Sequence, residues 1–108
     1  MRQFDAYAHH PYAGDPRYRP GAPPRNPRAI TFANINKLID EVTLLYGDKP
    51  IWITEYGYET SPPDRVFGVP WSRQAQYMRE AHALALRNPR IEMLLWFLVR
   101  DEARSVGW

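Results

Sequence analysis

At 108 residues, 44% hydrophobic and 24% charged, the chain has the composition of one globular domain, residues 1–108, able to bury a core. A net charge of +2 with no run of five like charges gives nucleic acid and membrane surfaces no electrostatic case. Zero cysteines exclude disulfide staples, thiol catalysis and thiolate metal sites, and no apolar run approaches the ~20 residues of a membrane helix, so a soluble chain is expected.

Met1 to Asp5 do not open a signal peptide. Phe4 to Tyr12 reads as a short strand, kept extended by Pro11 and ending on the polar aromatics His9, His10 and Tyr12. Residues 11–30 hold six prolines, two glycines and four arginines, which forbids helix and resists strand pairing, so a long basic loop is expected. Thr31 is placed to cap a helix whose stripe is Phe32, Ile35, Leu38, Ile39, Val42, Leu45 and Tyr46, at spacings of three and four. Gly47 supplies the stop.

Lys49-Pro50 then turns the chain into Ile51-Trp52-Ile53-Thr54-Glu55-Tyr56-Gly57, a β-branched and aromatic run that suits a strand covered on both faces. Strict alternation places Ile51, Ile53 and Glu55 on one face and Trp52, Thr54 and Tyr56 on the other. Glu55 therefore stands at the strand's carboxyl end, where parallel α/β proteins bind ligands and do chemistry. A second proline-bearing loop runs from Tyr58 to Trp71, after which Ser72 is placed to cap a helix over Arg73–Arg87 with Ala75, Met78, Ala81, Leu84 and Ala85 inward. Asn88-Pro89 ends it, and Ile91 to Val99 forms a third apolar strand. The predicted class is α/β, a β-α-β-α-β partial TIM barrel with parallel strands, right-handed crossovers and long Pro-rich loops.

Three of these pieces, in order, resemble the C-terminal part of a retaining glycoside hydrolase of the large (β/α)8-barrel clan. His10-Pro11-Tyr12 resembles the end of the sixth barrel strand, and Ile51 to Gly57 resembles the seventh, whose glutamate is the nucleophile. Leu95-Trp96-Phe97, followed by Asp101, resembles the eighth, whose tryptophan floors the sugar site. The resemblance implies Glu55 as the catalytic nucleophile. His10, Tyr12, Tyr56, Trp96 and Asp101 become contacts to a carbohydrate substrate, with no cofactor and no metal. His10 and Tyr12 are the residue types that hold a carboxylate ionised and oriented, because hydrogen bonds to the charged form favour it.

The chain departs from that pattern in one respect. The family's acid/base is the glutamate of an Asn-Glu pair, and no Asn-Glu occurs in the 108 residues. Glu59 and Glu102 are the remaining carboxylates near the same strand ends. A barrel takes at least about 200 residues, so the expectation is a fragment, weakly active or inactive alone. The alternative is a non-catalytic carbohydrate- or protein-binding scaffold. Ile51, Ile53, Leu94 and Trp96 are expected to line the barrel interior, and two open sheet edges predict a homo-oligomer.

Overall fold

A computed structural model describes residues 3–100. Its elements run β1 (Tyr7–His9), a 3₁₀ turn (Phe32–Asn34), α1 (Asn36–Tyr46), β2 (Ile51–Tyr56), α2 (Trp71–Leu86) and β3 (Ile91–Trp96). The three strands form one parallel sheet in the order β1-β2-β3, so the chain is α/β with the β-α-β-α-β arrangement of a partial barrel. No described helix is long and apolar enough to cross a membrane.

Both helices pack on the same face of the sheet. Ile51 and Ile53, both 0% exposed, are the floor of that layer, covered by Leu38, Ile39 and Val42 of α1 and by Tyr77 and Ala81 of α2. Leu94 and Trp96 pack against the same cluster. Ile51, Ile53 and Leu94 thus face the helices, not a barrel interior, and Trp96, expected with them, packs on the same cluster at the end of β3 while staying partly exposed. The expectation had assigned the face from the apolar residues alone, and both faces of this sheet carry them. The helix-free face belongs to Ala8, Trp52, Thr54 and Leu95, with Trp52 donating its indole N–H to Glu92 at 2.6 Å.

The helices differ from expectation in detail. Thr31 leads into a 3₁₀ turn before α1 begins, and its N–H donates to the Asn34 carboxamide at 2.6 Å. Leu45 is 68% exposed; Tyr46 turns inward instead and packs edge-on to Phe4 at 4.9 Å. Gly47, at φ +84°, ends α1 as a residue free of the Cβ penalty should. The second helix starts at Trp71, two residues before the expected start. Pro70, whose ring fixes φ at −55°, is the cap in place of Ser72. Its buried face turns on Tyr77 and Ala81 while Ala75 is exposed, because the Tyr77 ring packs on Tyr58 at 4.8 Å.

The β2–β3 ladder slips twice. Ile51 pairs with Ile91 but Trp52 with Met93, so β3 carries an extra residue there; Ile53 pairs with Leu94 and Tyr56 with Trp96, so β2 carries one between Ile53 and Tyr56. The second slip brings Tyr56, 3% exposed, into the same core as Ile51 and Ile53, against the alternation that had placed it opposite.

Candidate active site

Glu55 lies inside that second slip, at the carboxyl end of the central strand. The Tyr12 hydroxyl donates to its Oε1 at 3.1 Å, and His10 Nδ1 stands 3.4 Å from its Oε2. His10 Nε2 lies 3.0 Å from the Thr54 hydroxyl. One imidazole therefore bridges two consecutive residues, which an undistorted strand would send to opposite faces. The extra residue in β2 is what makes that possible.

The protonation logic follows from these contacts. Burial, then the hydrogen bond to Glu55, pushes the Tyr12 phenol far above its ordinary range, so it stays a donor at every physiological pH. The His10 ring hydrogen-bonds the Thr54 hydroxyl through Nε2 and places Nδ1 within ion-pairing distance of Glu55.

Behind the carboxylate stands a layer of rings. Tyr12 stacks on Tyr56 at 5.6 Å and 21°, and Phe32 and Tyr58 meet Tyr56 edge-on at 5.0 and 5.7 Å. Trp96 joins them at 6.3 Å from Tyr56 and 6.2 Å from Tyr58. Tyr56, expected among the sugar contacts, is buried and acts as the backing for Tyr12. Trp96 is partly exposed at the same end of the sheet as Glu55. Gly57 lets the strands close here: a Cβ on it would overlap the Phe97 carbonyl, while Phe97 N–H donates to the Tyr56 carbonyl at 2.9 Å.

The long loop is tied down across this end, from β1 to α2. Tyr58 donates its hydroxyl proton to the Tyr18 carbonyl at 2.6 Å, which leaves Tyr56 as the donor in the 2.8 Å contact between the two hydroxyls. Glu80 of α2 accepts from Arg19 at 2.7 Å and from the Gly21 N–H at 2.9 Å. Arg17 pairs with Asp15 and holds its carboxyl down at about 2, so that part of the loop's charge is neutralised within it. Thr54, Tyr58 and Glu80 were not singled out from sequence. Tyr58 carried a faint signal as the second of two tyrosines on alternate positions, and Glu80 carried none.

Of the remaining expected residues, Asp101 and Glu102 lie outside the described residues. The neighbouring Glu59 side chain, then the N–H groups of Phe67 and Val66, hold Asp64 below the usual carboxylate range. No group of three or more His, Asp or Glu side chains placed to hold a metal occurs among the described residues. A family model described as glycosyl hydrolase catalytic core matches residues 3–107. No curated protein and no solved structure matches the chain.

Proposed function

The chain belongs to the glycosyl hydrolase catalytic core family, and on that premise we propose that Glu55 is the nucleophile of a retaining glycosidase site. The three strands then correspond to the sixth, seventh and eighth of a (β/α)8 barrel. The observation that carries the reading is the pair of contacts to Glu55, from the Tyr12 hydroxyl at 3.1 Å and His10 Nδ1 at 3.4 Å. They orient a carboxylate at a strand's carboxyl end, as attack on an anomeric carbon demands. Its lone pair forms the glycosyl ester as the leaving oxygen departs, and water then hydrolyses that ester. Trp96 and Asp101 are the proposed sugar contacts beside it.

A retaining site also needs a second carboxyl, about 5–5.5 Å from the first, to protonate the leaving group. With no Asn-Glu pair in the sequence, that group comes from another polypeptide segment, and the chain alone is slower by about 10²- to 10⁴-fold. The same feature favours a second reading, a non-catalytic carbohydrate-binding scaffold.

Dinitrophenyl glycosides separate the two, because so acidic a leaving group departs without protonation. The nucleophile reading expects slow turnover that Glu55→Gln abolishes, and a deoxyfluoro glycoside that labels Glu55 by mass spectrometry. Turnover that survives Glu55→Gln, or a label elsewhere, removes Glu55 from the role. Sugar binding with neither turnover nor label supports the scaffold.

A further inference from the structure

The two side chains that reach Glu55 are held in place by different means. Tyr12 is fixed by packing, since its ring stacks on Tyr56 at 5.6 Å and Tyr56 is itself 3% exposed. The His10 side chain is 49% exposed, and the torsion that spins an imidazole about its Cβ–Cγ bond has broad, roughly two-fold minima. A half-turn of that ring would swap Nδ1 for Cδ2 and Nε2 for Cε1, and neither polar contact would survive. With half the side chain open to water, the choice between the two settings falls to its hydrogen-bonding partners.

The distances rank those partners. Nε2 lies 3.0 Å from the Thr54 hydroxyl, within the ordinary hydrogen-bond range, whereas Nδ1 lies 3.4 Å from Oε2 of Glu55, at the loose end. Both nitrogens belong to one rigid ring, so the tighter contact is the anchor and the looser one follows from it. Thr54 is in position only because of the added residue between Ile53 and Tyr56; in a regular strand its side chain would point away from that of Glu55. Its hydroxyl acts on the carboxylate through the imidazole between them.

We propose that Thr54 is a positioning residue, whose hydroxyl sets the His10 ring so that Nδ1 faces Glu55 and keeps the carboxylate aimed for attack. The proposal rests on the reading of Glu55 as the nucleophile and adds the residue that orients its histidine. The requirement is for a hydroxyl at this position. Serine supplies one; valine, which matches threonine in its β-branched shape and suits a strand equally, does not.

Imidazole nitrogen NMR spectra of the full chain, recorded at one pH with the His10 signals assigned from His10→Gln, test the ring setting without requiring turnover. Glu55→Gln, which changes the group facing Nδ1, is expected to move the His10 Nδ1 resonance in the wild type and in Thr54→Ser, and to move it far less in Thr54→Val. Labelling reads the consequence. The deoxyfluoro glycoside should label Glu55 about fivefold more slowly in Thr54→Val, the worth of one neutral hydrogen bond, with the half-saturating reagent concentration unchanged, and at the wild-type rate in Thr54→Ser. An Nδ1 response of wild-type size in Thr54→Val, labelling of Thr54→Val at the wild-type rate, or a Thr54→Ser chain that behaves like Thr54→Val overturns the proposal. A wild type that takes no label at Glu55 fails the nucleophile reading and leaves the spectra to decide on Thr54, so the two failures are distinct.

Discussion

Replacing Tyr58 by Phe removes one oxygen atom and with it the tie between the proline-rich loop and the end of β2. The ring is 5% exposed and its packing on Tyr56, Tyr77 and Trp96 survives the change. Two hydrogen bonds do not. The Tyr18 carbonyl loses its donor at 2.6 Å, and the Tyr56 hydroxyl, on a residue 3% exposed, loses its acceptor at 2.8 Å. A neutral hydrogen bond contributes about 1 kcal/mol net, so the pair amounts to about 2 kcal/mol. In a domain of this size that lowers the thermal midpoint by roughly 8–12 °C. The loop itself offers a second readout. Arg17, Arg25 and Arg28 are trypsin sites within it, whereas Arg19 precedes Pro20 and resists cleavage. Tyr58→Phe should speed cutting at those three sites under conditions where the sheet stays folded. An unchanged midpoint together with unchanged loop cleavage would refute the claim that Tyr58 anchors the loop.

Gly57→Ala should destabilise by about 1–3 kcal/mol, the usual cost of overpacking, because backbone at Phe97 cannot swing aside as a side-chain tip can; denaturant unfolding measures it. His9 gives a pH dependence. Its Nε2 is buried without a partner, and burial, then the neighbouring His10, lowers its pKa below the ordinary 6.5. Between that folded value and 6.5 the unfolded chain binds the extra proton, so stability is complete above 6.5 and falls as pH drops through the window. The loss between pH 7.5 and 5 should shrink in His9→Gln, and an equal loss in both proteins would clear His9 of the effect. With helices on one face only among the described residues, and Leu95 48% exposed on the other, we propose that the folded chain self-associates through that face and the sheet edges. Light scattering during size exclusion should give a dimer or larger species, and a cooperatively unfolding monomer at high micromolar concentration would contradict this.

The strands and helices were legible because each carries a strong local period: Ile51–Tyr56 and Ile91–Trp96 as apolar runs, Leu38, Ile39 and Val42 at helical spacing. The carboxyl-end position of Glu55 followed from the first of these. Its aim did not, since alternation predicts Glu55 opposite Thr54, and nothing in Ile53-Thr54-Glu55-Tyr56 marks the added residue that turns both toward His10. The phase of α2 was set by a tertiary contact, Tyr77 on Tyr58, which no window along the helix contains. The docking of the loop depends on Glu80 and Arg19, 61 positions apart, so it too lies beyond local reading.

The slip between Ile53 and Tyr56 separates two properties that a mutational screen would otherwise see as one. A chain lacking Thr54 would set Glu55 opposite Leu95 and keep Ile53 against Leu94 and Tyr56 against Trp96, turning an interrupted ladder into a regular one. Nothing in the core would have to move. His10 would lose its hydroxyl partner, and with it the geometry that lets one ring hold the carboxylate. Deletion scanning scored for thermal resistance should therefore accept the shorter chain, and the same library scored for labelling of Glu55 should discard it.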